Sequence, residues 1–222
     1  MTEPVVFEGF TLEPDRGELK KLLGRLRGEA ALEDAEPGTR EERIDAALDS
    51  ALEEAAGLIE AKGIYRIVSG AELEGPGLLR ELERVAVCVC TIGPALERRA
   101  REMMGSGRLF YGFMLDTVGS AAAEAAAGYM DERISEAAAA EGLRTSCRAS
   151  PGYGDWDVGG QRGIFELLPA GRIGVTLTEG LMMRPLKSVS FAVHVGEEPV
   201  RLRSESSCKN CGMEDCPYDT GD

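Results

Sequence analysis

Three short stretches of this 222-residue sequence collect side chains capable of chemistry. In the first, Arg148-Ala149-Ser150-Pro151-Gly152-Tyr153-Gly154-Asp155-Trp156-Asp157, a cation, two aromatic rings and two carboxylates share ten positions with three residues that bend the chain. Arginine clamps a carboxylate in bidentate fashion, glycine lets a ligand approach the backbone, and Tyr153 or Trp156 offers a face to an adenine or a macrocycle. Two readings stand, a loop that binds a small molecule and an ordinary turn with surface aromatics. The second stretch, Thr176-Leu177-Thr178-Glu179-Gly180-Leu181-Met182-Met183-Arg184-Pro185, places hydroxyls and Glu179 ahead of a methionine pair. Methionine there reads as core filler and Glu179 as a turn cap, so this stretch alone establishes no site.

The third stretch, Cys208-x-x-Cys211-x-x-x-x-Cys216, is compact enough for its thiolates to converge on zinc or an iron-sulfur cluster. Both centres take four ligands, so a fourth must come from Asp215, Asp219, water or a partner chain. Of the remaining cysteines, Cys88 and Cys90 point to one face of a strand and read as small buried hydrophobes, while Cys147 reads as core or site lining. His194 is the single histidine, which excludes sites needing several imidazoles and any second Ser-His-Asp arrangement.

Lys and Arg total 25 against 39 for Asp and Glu, a net charge of -14. That field repels a phosphate backbone, so nucleic acid is not an expected partner. The longest apolar run, Val85 to Cys90, is far shorter than the roughly 18 residues of a spanning helix, and no membrane insertion is expected. The opening Met1-Thr2-Glu3-Pro4-Val5 has no basic segment followed by an apolar one, so the cytoplasm is the expected compartment.

The elements that must position these groups are legible in the hydrophobic spacing. Leu19, Leu22, Leu23 and Leu26 mark one face of an opening helix. Thr39 and Glu42 form a capping box ahead of a long amphipathic helix running towards Gly63. Strands are expected at 64–68, 85–90, 144–148 and 188–195, and helices at 96–104, 113–140 and 164–168. Helices with interspersed strands imply a layered α/β or α+β domain. The expected division is an N-terminal helical segment over 1–39, an α+β domain over 40–205 and a cysteine-rich tail over 206–222.

Taken in order, Arg148-x-x-x-Gly152-Tyr153, Ile164-Phe165-Glu166-Leu167-Leu168, Gly174-x-x-Leu177-Thr178-Glu179 and Met183-x-Pro185-x-x-Ser188-Val189-Ser190 resemble the activation domain of cobalamin-dependent methionine synthase. The similarity is greatest to stand-alone relatives of that domain, which also carry segments like Thr91-Ile92-Gly93-Pro94 and Leu115-Asp116-x-x-Gly119-Ser120 and a terminal cysteine cluster. The resemblance implies a curved α+β domain with a twisted antiparallel sheet flanked by helices. It also implies binding of S-adenosylmethionine and reductive reactivation of a corrinoid carried by a partner, either a methionine synthase lacking its own activation domain or another corrinoid protein. On this likeness Arg148 holds the methionyl carboxylate or nearby backbone, Pro151 and Gly152 shape a close approach, Tyr153 stands at the corrin-facing surface, and Glu179 orders the site or attracts the sulfonium charge. A separate reductant protein is a further implied partner. The sequence departs from the methionine synthase domain in reading Phe191-Ala192-Val193-His194 where that domain has an aromatic pair, and in adding the cysteine tail. Two other readings compete: a non-enzymatic corrinoid-protein adaptor using a metal or iron-sulfur centre on that tail, and a zinc-stabilised interaction protein that has merely inherited the fold.

Overall fold

The computed structural model describes residues 2–12, 14–24 and 39–198. In chain order the first elements are β1 (Val5–Glu8), α1 (Arg16–Gly24), α2 (Arg40–Ala56), β2 (Lys62–Val68), α3 (Gly77–Glu81), β3 (Val85–Thr91), α4 (Ala95–Gly105) and α5 (Leu109–Ala140). They are followed by β4 (Arg144–Thr145), α6 (Gln161–Leu167), β5 (Thr176–Leu177), β6 (Met183–Arg184) and β7 (Ser188–Gly196). Five strands form one antiparallel sheet in the order β1-β2-β3-β7-β4, and β5 with β6 forms a separate hairpin. An α+β domain of helices around an antiparallel sheet is therefore what the chain adopts.

The central strand explains its own composition. Antiparallel sheets often leave one face in water, and their strands then alternate apolar and polar. β3 does not alternate, and every residue from Val85 to Thr91 is buried. One face, through Ala86, Cys88 and Cys90, packs with Phe191 and Val193 of β7 against residues of α2, α4 and α5. The other, through Val85, Val87 and Val89, packs against Trp156, Ile164, Leu168, Ile173 and Val175. A strand covered on both sides has no position for a polar residue, hence the continuous apolar run.

The capping box forms as the sequence indicates. The Glu42 backbone N–H donates to Thr39 Oγ1 at 3.3 Å, and the Glu42 carboxylate accepts from the Thr39 backbone N–H at 2.9 Å. That backbone bond first, and then the bond the carboxylate accepts from the Thr39 hydroxyl at 2.8 Å, hold the Glu42 carboxyl below its ordinary range. The helix ends at Ala56, short of the expected Gly63, because the Glu60 backbone N–H bonds the Ile92 carbonyl at 2.9 Å and starts the turn into β2. α5 begins four residues before the expected Phe113 and runs for 32 residues, about 48 Å. A strand the spacing did not indicate, β1, pairs with β2, and Leu19 and Leu23 of α1 join the helix-side core.

Candidate functional site

The Arg148 loop is built off the edge of the sheet. Ala149 pairs with Ala192 of β7 through two backbone bonds of 2.9 and 2.8 Å, after which the chain leaves the strand at Ser150 and the buried Pro151. Gly152 and Gly154 have φ of +90° and +61°, a region open to glycine at no steric cost. They form a tight turn in which the Gly152 N–H donates to the Trp156 carbonyl at 2.7 Å and the Trp156 N–H to the Tyr153 carbonyl at 3.2 Å. The turn pushes Tyr153 outward, leaving it 63% exposed. Trp156 turns the other way, is 4% exposed, and donates from Nε1 to the Glu74 carbonyl at 3.1 Å. Of the two rings that the sequence offers to a ligand, Tyr153 is the exposed one, and Trp156 is the anchor that holds the loop down.

Arg148 points back under α5. Its Nη2 donates to Glu124 Oε2 at 3.3 Å, its Nε lies 4.0 Å from Asp131 Oδ2, and its guanidinium stands 5.6 Å from the centre of the Phe191 ring. Glu124 and Asp131 are seven residues apart on α5, two turns along one face. Glu124 is 59% exposed and thus open to a ligand. Asp131 is two-thirds covered, its Oδ1 has no partner among the described residues, and burial pushes its carboxyl up while Arg148 pulls it down. Sequence reasoning missed both carboxylates, since an acidic residue on an alanine-rich helix reads as solvated surface. Their shared face with Ser120 and Asp116, at four- and seven-residue spacing, was the available signal.

A second polar cluster lies further along the same helix face. Lys187 Nζ is 2.8 Å from Asp116 Oδ1 and 2.8 Å from Ser120 Oγ, and its carbonyl accepts from the Ile92 N–H at 3.1 Å. Ser188 Oγ bonds Thr91 Oγ1 at 2.8 Å, and the Leu186 N–H bonds Glu97 Oε2 at 2.7 Å. Three segments remote in sequence, Thr91 to Pro94, Leu115 to Ser120 and Met183 to Ser190, thus meet in one place.

Between the two clusters runs the free edge of β7. Among the described residues no strand pairs β7 on its β4 side from Ser188 to Phe191, because β4 reaches only Val195 and Gly196 and the Arg148 loop leaves at Ala149. The strip is therefore bounded by Asp116, Ser120, Glu124 and Asp131 of α5, by the β7 edge, and by the loop carrying Arg148, Gly152 and Tyr153.

The remaining candidates stand apart. Glu179 is exposed at the tip of the β5–β6 hairpin, where the Leu181 N–H bonds the Thr178 carbonyl at 3.0 Å, and it makes no hydrogen bond or ion pair among the described residues. Cys208, Cys211 and Cys216 lie outside the described residues, and among those described no group of three or more His, Cys, Asp or Glu is placed to hold a metal ion. Cys88 and Cys90 are buried as expected, Cys147 is exposed, and His194 is buried with its Nδ1 unpartnered among the described residues. No described helix is long and apolar enough to cross a membrane.

A guanidinium beside a carboxylate at an unpaired strand edge, with an exposed ring on a glycine turn, is the candidate site of this α+β domain. Comparison with known proteins then supplies the family. The model described as vitamin B12 dependent methionine synthase, activation domain, matches residues 80–201, more than half of the chain, and the chain belongs to that family. The match takes in β3, α5, the Arg148 loop and β7. Among solved structures, the crystal structure of the MetH reactivation domain bound to AdoHcy has a similar fold, with a TM-score of 0.61 at 17% identity over 89% of this chain and 79% of that one. No curated protein sequence matches the chain.

Proposed function

We propose that this chain binds S-adenosylmethionine in the strip between α5 and β7 and presents its methyl group to the cobalamin of a partner protein. The observation that carries this reading is the Arg148–Glu124 pair, with Glu124 at 59% exposure, beside the free edge of β7. An α-amino acid end group has one carboxylate and one ammonium, and a guanidinium next to a carboxylate is its complement. Membership of the activation-domain family supports the choice of ligand.

When bound, S-adenosylmethionine supplies an activated methyl on a sulfonium and departs as S-adenosylhomocysteine. The residues of the chain bind and orient. Arg148 takes the carboxylate, with Phe191 beneath its guanidinium and Asp131 holding Nε. Glu124 takes the ammonium. Pro151 and Gly152 keep the turn close, and exposed Tyr153 faces the docking corrinoid. No general base is needed, because methyl transfer to a reduced cobalt moves no proton, and positioning is the chain's contribution. The electron that reduces cob(II)alamin comes from a separate reductant protein.

In this reading Glu179 stands near the sulfonium charge when the partner is docked, and the corrinoid protein is a methionine synthase without its own activation domain, in the cytoplasm. Cys208, Cys211 and Cys216 hold zinc or an iron-sulfur cluster, which metal analysis of the full chain against the triple serine variant tests.

Anaerobic calorimetric titration of S-adenosylhomocysteine tests the ligand. Arg148→Ala removes a charge-assisted contact of about 1.5–3 kcal/mol, so affinity falls roughly 10- to 100-fold. A wild-type chain that takes up no ligand, alone or with a corrinoid protein, refutes the reading.

A further inference from the structure

We infer that Lys187 is a positioning residue that sets the width of the ligand strip, an inference that rests on the reading just given. Its two halves are tied to different layers. The main chain is bound to the end of β3, where its carbonyl accepts from the Ile92 N–H at 3.1 Å and from Thr91 Oγ1 at 3.3 Å. The side chain crosses to α5, where Nζ meets Asp116 Oδ1 and Ser120 Oγ, each at 2.8 Å. Its stem lies over Gly119, where a Cβ would stand 3.3 Å from Lys187 Cε, so the bare glycine lets the chain pass close to the helix.

Lys187 is followed directly by β7, whose unpaired edge forms one wall of the strip. Ser120 is followed one helical turn later by Glu124, which forms the other wall. The Lys187 contacts are thus a strut between the two walls, one turn from the groups that grip the ligand. The side chain of Lys187 is 13% exposed and that of Asp116 45% exposed. With the Asp116 end of the pair reaching water, that carboxylate stays solvated when Lys187 is removed, so the pair acts on geometry more than on stability. A small shift of β7 against α5 moves the strand edge away from Arg148 and Glu124, and binding that depends on placement is sensitive to shifts of this size.

The test is calorimetric titration of S-adenosylhomocysteine into the full chain and into Lys187→Met, Asp116→Asn and the charge-swapped double variant Asp116→Lys/Lys187→Asp. Thermal unfolding of each is followed in parallel. The expected result is affinity weakened about tenfold in each single variant, recovered in the swap, with unfolding midpoints close to wild type. Unchanged affinity in both single variants overturns the inference and leaves the ligand assignment intact. No binding by the wild-type chain overturns both. Should Lys187→Met fail to fold, Ser120→Ala removes one end of the strut alone, and wild-type affinity in that variant also overturns the inference.

Discussion

Cys88 and Cys90 illustrate how position decides the chemistry of a residue. Both lie on the helix-facing side of β3, fully buried, with Cys88 in register between Tyr65 and Phe191. Burial pushes both thiols up, Cys90 to about 12, and the nearby Arg148 charge offsets this in part. Only the thiolate is nucleophilic. Alkylation of the native chain at about pH 8, followed by peptide mapping, is therefore expected to label exposed Cys147 and to spare Cys88 and Cys90 until the chain unfolds. His194 shows the opposite sign of coupling. Burial lowers its pKa from the ordinary 6.5, so the folded chain favours the neutral ring. Above the unfolded value this stability is fully present, and it is lost as the pH falls through the folded value, because the unfolded chain then takes up a proton that the folded one resists. Unfolding free energy measured at about pH 7.5 and about pH 5.5 is expected to fall, and His194→Gln to flatten that slope.

At the scale of the element, α2, α4 and α5 are joined by a polar cluster as well as by apolar packing. Tyr111 Oη on α5 donates to Glu54 Oε2 on α2 at 2.6 Å, and Arg99 Nε on α4 donates to Glu54 Oε1 at 2.5 Å. Arg108 covers the Tyr111 ring at 4.6 Å. Burial, and then the bond to Glu54, raise the Tyr111 pKa to about 12. Because Glu54 remains 28% exposed, Tyr111→Phe is expected to cost about 1 kcal/mol in urea unfolding, at the low end for a bond to a charged group. Ligand affinity is expected to be unchanged, since this cluster lies at the far side of α5 from the Arg148 face. An equal loss of affinity in that variant would show that the helix layer, and not the strip alone, sets the site.

On the scale of the whole molecule, the core on the far side of β3 from the long helices anchors the Arg148 loop. Trp156 reaches from the Arg148 turn into the core formed by Val85, Val87 and Val89 with Ile164 and Leu168, and its Nε1 bonds the Glu74 carbonyl. Trp156→Ala is expected to cost about 3–5 kcal/mol in chemical denaturation. Trp156→Phe is expected to retain most of that stability while losing the indole bond. Both are expected to weaken S-adenosylhomocysteine binding, because the turn that aims Arg148 is anchored through this side chain. Retention of full affinity in a folded Trp156→Ala chain would show that the turn holds itself.

Much of this architecture was legible in the residues alone. The run from Val85 to Cys90 declared a buried strand, the Thr39–Glu42 pair declared a helix start, and the alternation from Ser188 to Val195 declared β7. Local spacing carries such information because side-chain direction repeats every 3.6 or 2 residues whatever the rest of the chain does. The Arg148 loop and its glycines were also legible, since residues with positive φ announce themselves by type. Other features depended on the tertiary structure, each because it joins residues far apart in the chain. Glu124 and Asp131 became partners of Arg148 only when α5 was laid along β7. Trp156 was separated from Tyr153 by which way a tight turn faced, a matter decided by the core beneath it. The Lys187 strut arose from three segments brought together by the β3–β7 register, and no periodicity in any one of them carries that meeting.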